Sequence, residues 1–152
     1  MLQGFRCKIL YYDTKKPEFF NSSDMKNVNM PELLADSDIV SVHFNETYEN
    51  IKFVTGSYLE KLKHKYFINC SRSSIVDGIA LNNSIGKLKG VYLDVIEDYD
   101  SVTKMELLRK SKEYFNNLHI TFHTAGKGVD SRRNTDIYIV EQFKKWREEN
   151  VR

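Results

Sequence analysis

Tyr66-Phe67-Ile68-Asn69-Cys70-Ser71-Arg72 is a short apolar run that stops on polar residues, and two later segments repeat the design. These are Gly90-Val91-Tyr92-Leu93-Asp94-Val95 and Leu118-His119-Ile120-Thr121-Phe122-His123. Each reads as a strand that is nearly continuous in apolar residues, as strands covered on both faces are. The three end on an arginine, an aspartate and a histidine. Those residue types can hold a carboxylate, grip a cofactor and move a proton. In open α/β sheets, ligands sit outside the carboxyl ends of the strands. The recurrence of one polar group past each strand end points to a site.

Outward from these segments, Cys7–Asp13 and Ile39–Phe44 read as two more strands. Ser57–His64, Asp77–Lys87 and Thr103–Lys110 have helical composition, with Asp77 as N-cap and Gly86 near the end of its helix. Asp36 is placed to cap a turn before Ile39. Alternating strands and helices predict βαβ units and a parallel sheet. A last helix is expected over Val129–Asn150, with Ile139, Phe143 and Trp146 on one stripe that suits a core or an interface.

The 152 residues suit a single domain able to bury a sizeable core. Twenty-three basic residues against 21 acidic ones leave a net charge of +2, which gives no bulk attraction to nucleic acid or an anionic membrane. Lys61-Leu62-Lys63-His64-Lys65 is the densest basic run and reads as a solvated helix end, with phosphate binding as the alternative. No stretch approaches the ~18 apolar residues of a membrane span, and the N-terminus lacks a signal-peptide pattern. Cys7 and Cys70 both lie in strand-like runs, so buried, reduced thiols and a cytoplasmic protein are expected.

Asn69-Cys70-Ser71-Arg72-Ser73-Ser74-Ile75-Val76-Asp77, Lys89-Gly90-Val91-Tyr92-Leu93-Asp94-Val95 and Thr121-Phe122-His123-Thr124-Ala125-Gly126 together resemble the signatures of the D-isomer-specific 2-hydroxyacid dehydrogenases. Leu33 to His43 resembles the same family's segment after its third strand, and residues 5–148 fit the pattern without a large gap. The resemblance implies a Rossmann-like α/β fold, a mainly parallel sheet with flanking helices. It implies hydride transfer between NAD and a 2-hydroxy or 2-oxo acid. The start of the chain resembles the family's segment from the second strand onward, so the first βα unit with its glycine-rich loop is expected to be missing. Residues 1–152 would then form a partial NAD-binding domain. Gly126-Lys127-Gly128-Val129-Asp130-Ser131 nearly matches a dinucleotide fingerprint, but serine fills the third glycine position and no βαβ unit follows.

In the family, the residue at Arg72 orients the substrate carboxylate, since a guanidinium forms two parallel hydrogen bonds to it. His123 matches the acid/base, an imidazole able to give or take a proton near neutrality. Asp13 ends the first strand, where a carboxylate can accept from the adenosine ribose and favour NAD over NADP, with Lys15 and Lys16 softening that preference. Phe44, Cys70 and Ser71, with Asp94 and Gly126, complete the cofactor contacts that the resemblance implies; no metal is expected. Each position has a plainer reading. Asp13 can form a turn, Arg72 can pair with Asp77, Asp94 can cap a turn, and His123 can be merely packed.

The sequence also departs from the pattern. Tyr99 stands where the family has the glutamate that pairs with the histidine, flanked by Glu97, Asp98 and Asp100. Ser73 replaces a glycine, Phe122 a proline, and Asn45-Glu46 follow Phe44 where Pro and Leu are usual. Two readings therefore compete: a dehydrogenase whose remaining parts lie elsewhere, and a degenerate nucleotide-binding or interaction module without turnover. The isolated chain is expected to be inactive, and either to self-associate or to need a partner chain that completes its sheet.

Overall fold

The computed structural model describes residues 7–14, 25–113, 117–124 and 126–150. Four parallel strands form the main sheet in the order β3 (Ile39–Val42), β4 (Tyr66–Asn69), β5 (Gly90–Leu93) and β6 (Leu118–Ile120). A second, two-stranded parallel sheet joins β1 (Ile9–Tyr11) to β2 (Met25–Asn27), a strand that the sequence reading did not anticipate. β1 does not pair with β3, so the two sheets remain separate ladders.

Because sequential strands are neighbours and parallel, each connection must cross over, and right-handed crossovers in one direction put their helices on one face. Accordingly α2 (Gly56–Lys61) packs on α3 (Gly78–Ser84), and α3 on α4 (Ser101–Glu113). Beneath them Phe67, Val91, Leu93 and Leu118 of the sheet meet Leu59, Leu81, Ile85 and Leu107 of the helices, each no more than 2% exposed. Full burial of such side chains contributes on the order of 1.5–3 kcal/mol each. The opposite face carries Ser41, Ile68, Tyr92 and His119 in one register row, with Tyr92 stacked on His119 at 4.9 Å.

Local capping follows the sequence reading at α3 and departs from it at α1. Asp77 accepts from Ala80 N at 3.0 Å and starts α3, as expected. The helix α1 (Met30–Asp36) is capped by Asn29 and carries Pro31 in its first turn; Asp36 ends this helix rather than capping a turn. Its C-terminal carbonyls of Leu34 and Ala35 accept from Lys65 Nζ at 2.7 and 2.6 Å. The basic run thus serves helix ends, with Lys63 on Glu60 as well. A parallel bridge between Val54 and Val76 ties the loop after β3 to the loop after β4.

Two expectations need correction. Cys7 and Cys70 are exposed rather than buried, because both lie just outside the short hydrogen-bonded strands. The last helix, α5 (Val129–Asn150), contributes nothing to this core: Ile139, Phe143 and Trp146 are 58%, 59% and 53% exposed. Its apolar stripe exists, and it stays more than half exposed.

Candidate active site

All four strands of the main sheet run the same way, so Arg72, Asp94 and His123 lie beyond the same sheet edge, past β4, β5 and β6. Asn69 shapes the first of these turns. Wholly buried, it accepts from Ser71 N at 3.0 Å and donates to Arg72 O at 3.0 Å. The exposed guanidinium of Arg72 donates to Ser71 O at 2.8 Å and lies 3.9 Å from Glu46, not against Asp77. Glu46 in turn accepts from Ser74 Oγ at 2.8 Å. Ser71 Oγ donates to the carbonyl of Phe44, whose ring meets Phe53 edge-on. These segments line a hollow of about 370 Å³ formed by His43 to Glu46 and Cys70 to Arg72.

Asp94 is the hub of the edge. Only 4% exposed, its Oδ1 accepts from Thr121 Oγ1 at 2.5 Å, Thr124 N at 2.9 Å and Thr124 Oγ1 at 3.3 Å. Its backbone N donates to Asn69 O and its carbonyl accepts from His123 N at 2.7 Å. The turn-capping reading of Asp94 is therefore present in the geometry. It fixes the loop in which His123 adopts φ 53°, a left-handed conformation that histidine tolerates better than most residues.

His123 Nδ1 lies 3.1 Å from Glu97 Oε1. A carboxylate oxygen only accepts, so Nδ1 carries the hydrogen and Nε2 is left as the proton acceptor. Tyr99, at the family's glutamate position, instead belongs to the core. It is 8% exposed, and a Cβ on Gly78 would come within 2.7 Å of its ring.

Cys70 borders the hollow described above and a second one of about 320 Å³ on the open sheet face, lined also by Tyr92, Asp94 and His119. Although exposed, it sits against packed strand ends; lost hydration, then the nearby Asp94 charge, push its thiol up. That makes it a poor nucleophile near neutrality. Asp13 is exposed beyond the end of β1, while Lys15 and Lys16 fall outside the described residues. Gly126 lies in a turn where an added Cβ would meet nothing within 4 Å. Sequence reasoning singled out neither Asn69 nor Thr121 and Thr124 as builders of the site. Their signal is a polar side chain at a strand's last residue (Asn69) or one and four positions past a strand end (Thr121 and Thr124).

The model of the D-isomer specific 2-hydroxyacid dehydrogenase NAD-binding domain matches residues 1–125. A glyoxylate reductase of Korarchaeum cryptofilum is 33% identical over 145 residues, covering 93% of this chain and 42% of the relative. A D-3-phosphoglycerate dehydrogenase of Archaeoglobus fulgidus is 30% identical over 147 residues, covering 91% of this chain and 27% of the relative. Among solved structures, a D-lactate dehydrogenase from Aquifex aeolicus complexed with NAD and lactic acid superposes with a TM-score of 0.79 at 27% identity. It covers 98% of this chain and 50% of that one. The chain belongs to the D-isomer-specific 2-hydroxyacid dehydrogenase family, as its Rossmann-like NAD-binding domain. It spans well under half the length of the two curated relatives.

Tyr99 gives the first prediction. Its hydroxyl is buried with no hydrogen-bond partner among the described residues. Burial, then the charges of Asp77 and Asp98, push the phenol far above its ordinary value. Tyr99→Phe should stabilise the fold by about 1 kcal/mol at pH 8, because an unsatisfied polar group is removed. Above about pH 10 only the unfolded tyrosine ionises, so the wild type loses stability with rising pH. The advantage of Tyr99→Phe should then widen, at up to about 1.4 kcal/mol per pH unit. Urea unfolding at pH 8 and pH 10.5 measures both effects.

Proposed function

We propose that the chain carries the proton-transfer and carboxylate-binding half of a 2-hydroxyacid dehydrogenase site and has no turnover in isolation. The observation that supports this reading best is His123 paired with Glu97 beyond the same sheet edge as Arg72. Arg72 holds the carboxylate of a 2-hydroxy or 2-oxo acid. His123 takes the proton of the substrate hydroxyl at Nε2, or returns it to the carbonyl oxygen in reverse. NAD, when bound, supplies the hydride acceptor or donor. The alternative of a module without a working acid/base loses weight, because a carboxylate meets the histidine despite Tyr99.

The residues present fit two parts of the cofactor. The hollow beside Phe44, Cys70, Ser71 and Arg72 suits the nicotinamide end, with Asp94 in the neighbouring hollow that Cys70 also borders and Gly126 in the loop after His123. Asp13 suits the adenosine ribose and disfavours a 2′-phosphate. No glycine lines the hollow, and the Gly126-Lys127-Gly128 stretch before α5 carries Ser131 at the third glycine position, so it does not match the loop that cradles a pyrophosphate. Binding of NADH by the chain alone should therefore be weak, with Kd above about 10 μM, or roughly −7 kcal/mol at best. Nicotinamide fluorescence titration tests this. Enhancement with NADH at high micromolar concentration and none with NADPH fits the reading; no response to NADH at any concentration contradicts it.

The two ladders also suit a partner. β1 and β3 each pair on one side only among the described residues, and exposed strand edges accept further strands. A strand from a second copy, or from a chain or segment supplying the rest of the domain, would join them. The chain on its own should self-associate as concentration rises, measured by light scattering. A monodisperse monomer with cooperative unfolding would contradict that expectation. Exposed cysteines without a disulfide suit a reducing, cytoplasmic setting.

A further inference from the structure

We propose that Glu97 is the positioning residue of His123, held in that role by a loop whose course is set by Ser73 and Tyr99. This rests on the reading of His123 as the acid/base and extends it to a residue outside the family pattern.

The run Glu97-Asp98-Tyr99-Asp100 offers three carboxylates, and the structure commits two of them to the scaffold. Asp100 starts α4, accepting from Thr103 N at 2.9 Å and from Thr103 Oγ1 at 2.6 Å. Asp98 is clasped by Ser73, whose hydroxyl donates to Asp98 Oδ2 at 2.7 Å and accepts from Asp98 N at 2.9 Å. Tyr99 between them is sunk into the core against Gly78. Only Glu97 is left for His123. Its second oxygen accepts from Ile96 N at 3.0 Å, so both oxygens have a donor.

The departures from the family pattern are therefore coupled. A glycine at position 73 has no hydroxyl to make the clasp. A glutamate at position 99 would have to bury its charge where the Tyr99 ring now packs, at large cost. With serine and tyrosine there, the loop is tied at 98 and 99, and the carboxylate two residues before Tyr99 meets the imidazole. Arg72 joins the same chain of contacts, since its neighbour Ser73 holds the neighbour of Glu97. As an exposed contact the pair adds little stability, on the order of 0–1 kcal/mol. Its value lies in fixing which nitrogen carries the hydrogen and how the ring is turned.

Nitrogen-15 NMR of the imidazole rings in the full chain tests this, with the His123 signals assigned through a His123→Gln variant. At a pH where the ring is neutral, wild-type His123 should be mainly the Nδ1–H tautomer. Glu97→Ala should make that form the minority species. Glu97→Gln keeps an acceptor oxygen and should retain the Nδ1–H form, whereas Ser73→Gly should shift the ring in the same direction as Glu97→Ala. Backbone spectra show whether each variant is folded. A wild-type ring mainly in the Nε2–H form, or a ring unchanged in Glu97→Ala, overturns the proposal. NADH titration of the same samples separates the two readings: an intact tautomer preference without NADH binding defeats the dehydrogenase reading alone.

Discussion

One buried carboxylate holds the functional edge together. Asp94 Oδ1 accepts from two hydroxyls and a backbone amide of the loop after β6, while its backbone bonds to Asn69 and His123. Residue 94 therefore stitches the ends of β4, β5 and β6 into one surface. Hydrogen bonds to a charged acceptor contribute about 1.5–3 kcal/mol each, more than neutral ones. A buried carboxylate stripped of donors would be costly, so the threonines and the aspartate depend on one another. The left-handed φ of His123 persists because that network over-determines its loop.

Much of the fold was legible because its signals are local. Strands β4, β5 and β6 announced themselves as apolar runs, and Asp77 as a helix cap. What escaped were elements with little pattern of their own. β2 is three residues, Met25-Lys26-Asn27, and exists by pairing with β1. The seven-residue α1 depends on its cap at Asn29 and on Lys65 reaching its end from 30 residues away. The cysteines are exposed despite their apolar neighbours because the apolar run in sequence extends past the hydrogen-bonded strand.

Residue types at strand ends single out Arg72, Asp94 and His123, and the structure brings all three beyond one sheet edge, while the pairing of His123 needs three dimensions. The linear position of a family glutamate pointed at Tyr99, and the carboxylate came from Glu97 instead. Sequence spacing alone does not reveal this, because the loop's course depends on Ser73, 25 residues away from Asp98. The long helix α5 illustrates the opposite case: its stripe is visible in the sequence, yet it stays more than half exposed.

The central claim, that Asp94 fixes the loop carrying His123, is tested most directly by residue-resolved hydrogen exchange in Asp94→Ala and Asp94→Asn. In Asp94→Ala the amides of His123 and Thr124 should exchange at least tenfold faster, about 1.4 kcal/mol less protected. Val91 and Leu93 in β5 should change less. Asp94→Asn retains Oδ1 as an acceptor and should keep most of that protection. If His123 and Thr124 exchange no faster in Asp94→Ala than in the wild type, the loop is held by something else and the account fails.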